Sequence, residues 1–205
     1  TFEVGAATLD RKVANFAKDN NLENLEFLSC IPGSIGGAII MNSGCYDNDI
    51  SKVLVSIKVI NKRDLSITVI RKEDIKFEYR GTNLPKDLII LSARFQGLIG
   101  KKDEIEKKQI ILIERKKLSQ PSQIKTCGST FKNIIDGKKA WMLIKQAGCE
   151  NFKEGDALIS KKHCNFFVNN GNAKFEDMKK LIEFVSNSVF EKTGIKLEKE
   201  IKILE

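Results

Sequence analysis

The amino-acid sequence predicts an α+β fold that is divided into two units. Three observations support this prediction. Apolar and polar residues alternate along residues 52–60, 65–69 and 88–95, which is the pattern of half-buried strands. Residues 175–192 instead carry apolar side chains at helical spacing. A charged helix predicted over residues 101–118 ends near Pro121 and connects the two groups of elements.

The first unit is predicted to hold one helix and several antiparallel strands. Residues 1–7 indicate a short strand with no leader sequence before it. Residues 61–64 supply the turn that joins the strands at 52–60 and 65–69 into a hairpin. Thr8 is the expected N-cap of the helix, whose apolar face carries Leu9, Val13, Phe16 and Ala17.

The second unit is predicted to alternate helices and short strands. A helix over residues 138–147 ends at Gly148, and strands follow at 157–160 and 165–169. Residues 195–204 alternate and predict a closing strand. The long helix at 175–192 stops at Gly194, and its inward face is expected to carry Met178, Leu181, Ile182, Val185 and Val189.

Composition excludes several classes of protein. Of the 205 residues, 41% are hydrophobic and 30% are charged, which is typical of a soluble globular protein, and no apolar run is long enough to span a membrane. The five cysteines form no CxxC pair, so reduced thiols are expected rather than disulfides or a metal site. The net charge of +8 fits an enzyme for anionic small molecules. Nucleic acid is not expected as a partner, because aromatic residues are not interleaved with the basic ones.

Residues 27–46, FLSCIPGSIGGAIIMNSGCY, form a glycine-rich stretch without a charged side chain. Exposed N–H groups of such a loop can cradle a phosphate group. The alternative is a buried packing loop in which a Cβ would clash. The spacing matches neither GxGxxG nor a P-loop, so residue pattern alone leaves both interpretations open.

Four further places could carry chemistry. Arg80 in FEYRG could hold a carboxylate in a fixed fork, or could be a surface arginine. CGSTFKN, residues 127–133, suits an anion pocket or an ordinary turn. Glu198 and Glu200 share one face of the closing strand and could serve as an acid or be solvated edge charges. His163, the only histidine, is expected to be structural, because a lone histidine has no partners for a triad or a metal cluster.

Taken together, these segments resemble the UDP-N-acetylenolpyruvoylglucosamine reductase family, also called UDP-N-acetylmuramate dehydrogenase. The resemblance runs along essentially the whole chain. It rests on LSCIPGSIGGAIIMNSGCY, FEYR, SQP followed by CGSTFKN, HCNFFVNNGNA with its long helix, and GIKLEKEIKIL. Each motif is moderately specific, and five in this order are highly specific. No tyrosine-bearing insertion follows Tyr79, so the chain resembles the shorter of the two family types.

The resemblance implies a domain layout and a set of site residues. Residues 1–98 resemble the second lobe of a two-lobed FAD-binding domain, residues 101–196 a substrate-binding domain, and residues 197–205 its closing strand. The catalytic positions of the family fall on Arg80, Ser129 and Glu200. The substrate positions fall on Lys132, Asn133 and, less specifically, Lys117. The cofactor positions fall on Ile31, Pro32, Gly33, Ser34, Gly36, Gly37, Ala38, Asn42 and Gly44.

The resemblance also implies the reaction. NADPH reduces bound FAD, and the hydride is returned to the enolpyruvyl β-carbon of UDP-N-acetylglucosamine enolpyruvate, giving UDP-N-acetylmuramate for peptidoglycan precursors. Arg80 matches the cation that stabilises the enolate-like charge, Ser129 the proton donor and Glu200 the assisting acid. A cytoplasmic monomer without a metal is expected.

Two departures from the family pattern affect these expectations. Ile134 stands where proline usually follows the position of Asn133. The first flavin lobe has no counterpart here, so weak or absent FAD binding is expected of this chain. Two alternatives are a non-catalytic sugar-nucleotide binding module and another flavoprotein, such as an oxidase.

Overall fold

The computed structural model describes residues 1–134 and 137–204, and it confirms the predicted α+β class. The chain divides into two compact units, Thr1–Lys116 and Lys117–Glu205. The predicted closing segment ends at Glu205, which lies outside the described residues.

The first unit is built on a four-stranded antiparallel sheet in the order β1-β9-β5-β6. Its described helices and strands, in chain order, are β1 (Phe2–Gly5), α1 (Asp10–Asp19), β2 (Leu22–Glu23), α2 (Ile35–Ile40), β3 (Gly44–Cys45), β4 (Asn48–Asp49), α3 (Ile50–Val53), β5 (Leu54–Asn61), β6 (Ile67–Arg71), β7 (Phe77–Glu78), β8 (Gly81–Thr82), β9 (Leu88–Phe95), β10 (Leu98–Ile99) and α4 (Lys102–Ser119). The predicted hairpin is the β5–β6 pair, in which Ile57 lies opposite Ile70. The strand predicted at 88–95 is β9, which pairs with both β1 and β5.

Helix α1 differs from its prediction in both its cap and its buried face. Leu9, not Thr8, is the N-cap residue, and no side chain caps the helix. Leu9 and Phe16 are exposed, whereas Asp10 and Ala14 are fully buried. Val13 and Ala17 are buried as predicted, so the buried face is shifted rather than replaced, with a charged residue at one of its positions.

Helix α4 lies mostly in the first unit, whereas the sequence analysis placed the end of that unit at residue 98. Ile105 is fully buried, and the Gln109 side chain donates to the Ala14 carbonyl at 2.9 Å. Lys108 forms an ion pair with Glu23 at 3.0 Å. These contacts attach α4 to α1 and its surroundings.

The second unit is built on a four-stranded sheet in the order β11-β14-β13-β12. Its elements are β11 (Lys125–Ser129), α5 (Ala140–Gln146), β12 (Lys153–Glu154), β13 (Ala157–Ile159), β14 (Phe166–Asn169) and α6 (Phe175–Thr193). Helix α6 ends at Gly194 in a left-handed conformation, as predicted. Its residues Leu181, Ile182, Val185 and Val189 are buried in the core of this unit.

The predicted closing strand is shorter than expected. Within residues 195–204, one isolated antiparallel bridge joins Lys199 to Phe131, and the described residues show no longer strand there. This single bridge nevertheless places the closing segment beside Phe131.

Candidate functional site

The glycine-rich stretch packs closely along residues 6–10 of the first unit. The Gly36 amide donates to the Ala6 carbonyl at 2.8 Å, and the Ile35 amide donates to the Thr8 carbonyl at 2.9 Å. In the opposite direction, the Asp10 amide donates to the Gly33 carbonyl at 3.1 Å. These main-chain bonds hold the loop and α2 in one place without using a side chain.

The glycines of this stretch are needed for different reasons. A Cβ on Gly44 would lie 2.3 Å from the Asn48 carbonyl oxygen, and one on Gly36 would lie 3.1 Å from the Ala6 Cβ. Both positions therefore support the packing interpretation. Gly37 is different, because the nearest atom to a Cβ there is the Ser34 Oγ at 3.8 Å. No neighbouring atom requires glycine at this helical position. A glycine there therefore favours the interpretation in which a ligand approaches the backbone closely.

The outer side of the loop suits an anionic group. Pro32, Gly33 and Gly37 are exposed. Among the described residues, the amides of Gly33, Ser34 and Gly37 donate to no main-chain carbonyl. Amides without a main-chain acceptor on a glycine-rich loop are the donors that a phosphate group needs. Of the other predicted cofactor residues, Ile31 is half-buried, and Ala38 is buried with its amide donating to the Ser34 carbonyl at 2.8 Å.

A buried carboxyl group lies beneath this loop. Asp10 is fully buried, and neither carboxyl oxygen has a hydrogen-bond partner in the described part of the chain. Its Oδ2 is 3.2 Å from the position that a Cβ on Gly33 would take. Burial raises the pKa of Asp10 to about 7, because water no longer stabilises the carboxylate. Asp10 is a candidate that the sequence alone does not reveal, since hydrophobic spacing gives no signal for a buried acid.

Two thiols lie at the ends of the glycine-rich stretch. The neighbouring Cys45 thiol lowers the pKa of the Cys30 thiol to about 6, with smaller contributions from the Ser29 hydroxyl and the charge of Lys116. Cys45 itself donates to the Phe27 carbonyl at 3.6 Å, and Cys30 and burial raise its pKa. Both cysteines are free, as are the other three.

Arg80 lies in the two-residue turn between β7 and β8. Its guanidinium donates from Nη2 to the Gly44 carbonyl at 3.2 Å and lies 4.8 Å from the centre of the Tyr79 ring. The turn thus places Arg80 beside the end of the glycine-rich stretch. Asn42 is 7% exposed, and its amide bonds to the protein on both sides, donating to the Glu78 carbonyl and accepting from the Ser51 amide.

In the second unit, main-chain pairing places Ser129 and Glu200 on neighbouring segments. Ser129 is the last residue of β11 and lies opposite Phe166 of β14. On its other side, the following residues pair with the closing segment: the Glu200 amide donates to the Thr130 carbonyl at 2.9 Å. The predicted proton donor and the predicted acid are therefore carried by adjacent, paired segments, and both are half-buried.

Asn165 fixes the end of β11 and was not identified from the sequence as a site residue. Its side chain accepts from the Phe131 amide at 3.0 Å and donates to the Phe131 carbonyl at 2.7 Å. Its own carbonyl accepts from the Thr130 amide at 2.8 Å. Asn165 is 3% exposed, so these bonds are made away from water. The only sequence signal for this role was its place within HCNFFVNNGNA.

The predicted substrate residues of the second unit make local contacts. The Lys132 ammonium pairs with the Glu198 carboxylate at 2.5 Å. The Asn133 side-chain oxygen accepts from the Ala140 amide at 3.1 Å and so caps the start of α5. Ile134 replaces the usual proline, and its amide donates to the Lys138 carbonyl at 3.0 Å, a bond that proline lacks.

The remaining candidates have weaker support. The carbonyl of Lys117 accepts a hydrogen bond from the Lys162 ammonium. His163 packs against Phe166 and Trp141, and burial lowers its pKa, which agrees with a structural role. Within residues 1–134 and 137–204, no cluster of side chains could hold a metal ion, and no helix is long and apolar enough to cross a membrane.

Comparisons with known proteins identify the relatives of the chain. Residues 120–204 match the family model described as "UDP-N-acetylenolpyruvoylglucosamine reductase, C-terminal domain". A protein of the same name from Pelagibacter ubique is 52% identical over 202 residues, covering 98% of this chain and 67% of the relative. One from Rickettsia bellii is 42% identical over 199 residues, covering 97% of this chain and 65% of the relative. The chain thus spans about two thirds of the length of these relatives.

A solved structure gives the same result for the fold. The crystal structure of UDP-N-acetylenolpyruvylglucosamine reductase from Thermus caldophilus is 32% identical and superposes with a TM-score of 0.88. The match covers all of this chain and 73% of that one. The resemblance first found in five sequence motifs is therefore confirmed over both units, and the chain belongs to the UDP-N-acetylenolpyruvoylglucosamine reductase family.

Proposed function

We propose that this chain carries out the FAD-mediated, NADPH-dependent reduction of UDP-N-acetylglucosamine enolpyruvate to UDP-N-acetylmuramate. The observation that carries the proposal is the bridge between Phe131 and Lys199. It joins the GSTFKN and LEKE motifs, so that Ser129 and Glu200 sit on paired segments. Peptidoglycan precursor synthesis in the cytoplasm is the corresponding cellular role.

The cofactor would be held at the glycine-rich loop. The amides of Gly33, Ser34 and Gly37, which have no main-chain acceptor among the described residues, would bind its pyrophosphate, and Gly37 leaves room for close approach. When bound, FAD supplies the hydride that is taken from NADPH and passed to the substrate. The loop itself binds and orients, since residues 31–44 carry no titratable side chain.

Three side chains would act on the reacting group. Hydride addition at the β-carbon places negative charge on the α-carbon and carboxylate, and a guanidinium is a permanent cation suited to stabilise that charge. Arg80 supplies it. The Ser129 hydroxyl then gives its proton to the α-carbon. Serine is a weak acid, so this step requires a strongly basic carbanion and a polar surrounding. Glu200 assists at the substrate carboxylate.

The second unit would hold the sugar nucleotide. Lys132 and Asn133 lie directly after Ser129 and Thr130 on the segment that pairs with the closing residues. Lys132 is neutralised in part by Glu198 at 2.5 Å, so an anionic substrate would have to compete for the ammonium. Lys117 is a further cation for the diphosphate.

Because weak FAD binding is expected of this chain, the direct test first measures FAD affinity and then follows NADPH oxidation at a saturating FAD concentration, with and without UDP-N-acetylglucosamine enolpyruvate. The proposal expects oxidation that depends on this substrate and yields UDP-N-acetylmuramate. NADPH oxidation that is indifferent to the sugar nucleotide, or that consumes oxygen instead, would contradict it. Calorimetry with UDP-N-acetylglucosamine in the absence of flavin provides the second measurement: binding without any turnover would favour a non-catalytic sugar-nucleotide module.

A further inference from the structure

Arg80 has an unusual backbone conformation for its residue type. Its φ is 58°, in the left-handed region that L-residues with a Cβ avoid. It occupies a turn closed by the Glu78–Gly81 pair. Glycine is the residue that such a position favours, yet glycine follows at 81 instead. A strained conformation of this kind persists only where the surroundings enforce it.

The turn is attached on both sides to the end of the glycine-rich stretch. Before the turn, the Glu78 carbonyl accepts from the Asn42 side-chain Nδ2 at 3.2 Å. After it, the Thr82 hydroxyl donates to the Ile40 carbonyl at 3.4 Å. The two attachment points lie two residues on either side of Arg80. The main chain at residues 78–82 is therefore held at both ends by residues 40–42.

Asn42 is itself firmly fixed. Its side-chain oxygen accepts from the Ser51 amide at 3.1 Å, so the planar amide links the start of α3 to the β7–β8 turn. Its φ of 40° is also left-handed, which asparagine tolerates better than most residues. Two residues on, the Gly44 carbonyl accepts from the Arg80 guanidinium at 3.2 Å. The segment 42–44 therefore contacts both the main chain beside Arg80 and the Arg80 guanidinium.

We infer that Asn42 is a positioning residue for Arg80: it holds the strained β7–β8 turn that sets where the guanidinium lies. Asn42 was predicted to contact the cofactor. Both ends of its amide are engaged within the protein, so it acts on the reaction through Arg80. This inference rests on the proposed function for its catalytic meaning, whereas the strain that Asn42 maintains is measurable without any activity.

The strain is measured by comparing Arg80→Gly with Arg80→Ala. Both variants remove the guanidinium, but only glycine relieves the left-handed conformation. We expect the unfolding equilibrium constant of Arg80→Gly to be up to about fivefold lower than that of Arg80→Ala. With Asn42→Asp added, which keeps the acceptor for Ser51 and loses the donor to Glu78, the ratio should fall toward one. An unchanged ratio in that background would overturn the inference, and so would the absence of a difference in the parent protein.

The catalytic readout uses the FAD-loaded protein carrying Asn42→Asp. We expect kcat for substrate reduction to fall roughly ten- to a hundredfold, because the cation is misplaced. FAD affinity and flavin reduction by NADPH should not change. Ser51→Ala is the matched control, since it leaves the main-chain amide that bonds Asn42 and should retain full activity. A loss of FAD affinity with normal substrate reduction would show a cofactor ligand and contradict the inference. Failure of the proposed function would appear instead as no substrate-dependent turnover in the parent protein, with the strain result intact.

Discussion

The two units present their candidate residues by different physical means. In the first unit, placement depends on the main chain: Gly36 and Gly44 permit close packing, and Arg80 lies in a strained left-handed turn. In the second, placement depends on strand register and on one buried amide, Asn165. An asparagine anchors each region, but Asn42 holds a turn and Asn165 holds a strand end. The first unit should therefore be sensitive to an added Cβ, and the second to the loss of a polar side chain.

The largest expected effect tests the buried acid of the first unit. Burial raises the folded-state pKa of Asp10 to about 7 from its ordinary value of 3.8. The unfolded chain thus ionises first, and the free energy of unfolding should fall as pH rises from about 4 to about 7, by at most about 4 kcal/mol. Asp10→Asn should remove this dependence, so that the variant exceeds the parent protein in stability at pH 8 but not at pH 4. Urea unfolding at several pH values measures it.

The control for this prediction is Asp19→Asn on the same helix. Asp19 is exposed, and a hydrogen bond from Lys102 lowers its pKa, so its removal should slightly destabilise the protein above the pKa rather than stabilise it. If both variants behave alike, or if the parent protein is equally stable at pH 4 and pH 8, the carboxyl of Asp10 is not buried as the structure describes.

The second prediction concerns Asn165. Replacement by alanine leaves the buried amide and carbonyl of Phe131 without their side-chain partners, which should cost about 3 kcal/mol of unfolding free energy. The matched control is Asn172→Ala. Asn172 is exposed and its side chain fixes no strand among the described residues, so this variant should change the free energy of unfolding by less than about 0.5 kcal/mol. Equal denaturation midpoints for the two variants would remove the proposed basis for the placement of Ser129.

The third prediction separates the two interpretations of the glycine-rich stretch. Gly44→Ala should cost at least about 2 kcal/mol, because its Cβ would overlap the Asn48 carbonyl. Gly37→Ala should instead stabilise the protein by about 0.5 kcal/mol or more, since alanine favours the helix and nothing obstructs its Cβ. If Gly37 serves a ligand, the same variant should bind FAD more weakly. If FAD affinity is unchanged in this variant, the glycine-rich stretch serves packing alone.

The smallest effect is expected at the Lys132–Glu198 pair. Glu198 has a side chain that is 71% exposed, so Glu198→Gln should change stability by less than about 1 kcal/mol. It should lower the Km for the sugar nucleotide, because Lys132 no longer has a competing carboxylate. A Km that rises would mean that the ion pair positions Lys132 for the substrate.

Regular elements were predictable from the sequence, and the reasons for the exceptions are local. Strand β9 occupies the predicted residues 88–95, because its alternation reflects one buried face. The predicted face of helix α1 was confirmed at Val13 and Ala17 and wrong at Leu9 and Phe16, while Asp10 is buried although it is charged. Residues 195–204 alternate like a strand, but the described chain gives them only the Phe131–Lys199 bridge.

The candidate site was less predictable than the fold. The roles of Arg80, Ser129 and Glu200 came from family resemblance, and they stay predictions until they are measured. Spacing alone gave no reason to pair residue 129 with the segment at 198–200, because long-range register depends on the whole unit. The sequence does not predict the strained conformation at Arg80 either, because the neighbouring Gly81 would adopt a left-handed φ more easily.

The central claim is that this chain is a reductase in which Ser129 donates a proton to the substrate. The most direct measurement separates the two half-reactions in Ser129→Ala, with FAD bound. Reduction of the flavin by NADPH should proceed as in the parent protein, whereas its reoxidation by UDP-N-acetylglucosamine enolpyruvate should be lost. If the variant completes both half-reactions at the parent rates, Ser129 is not the donor and the site assignment is wrong.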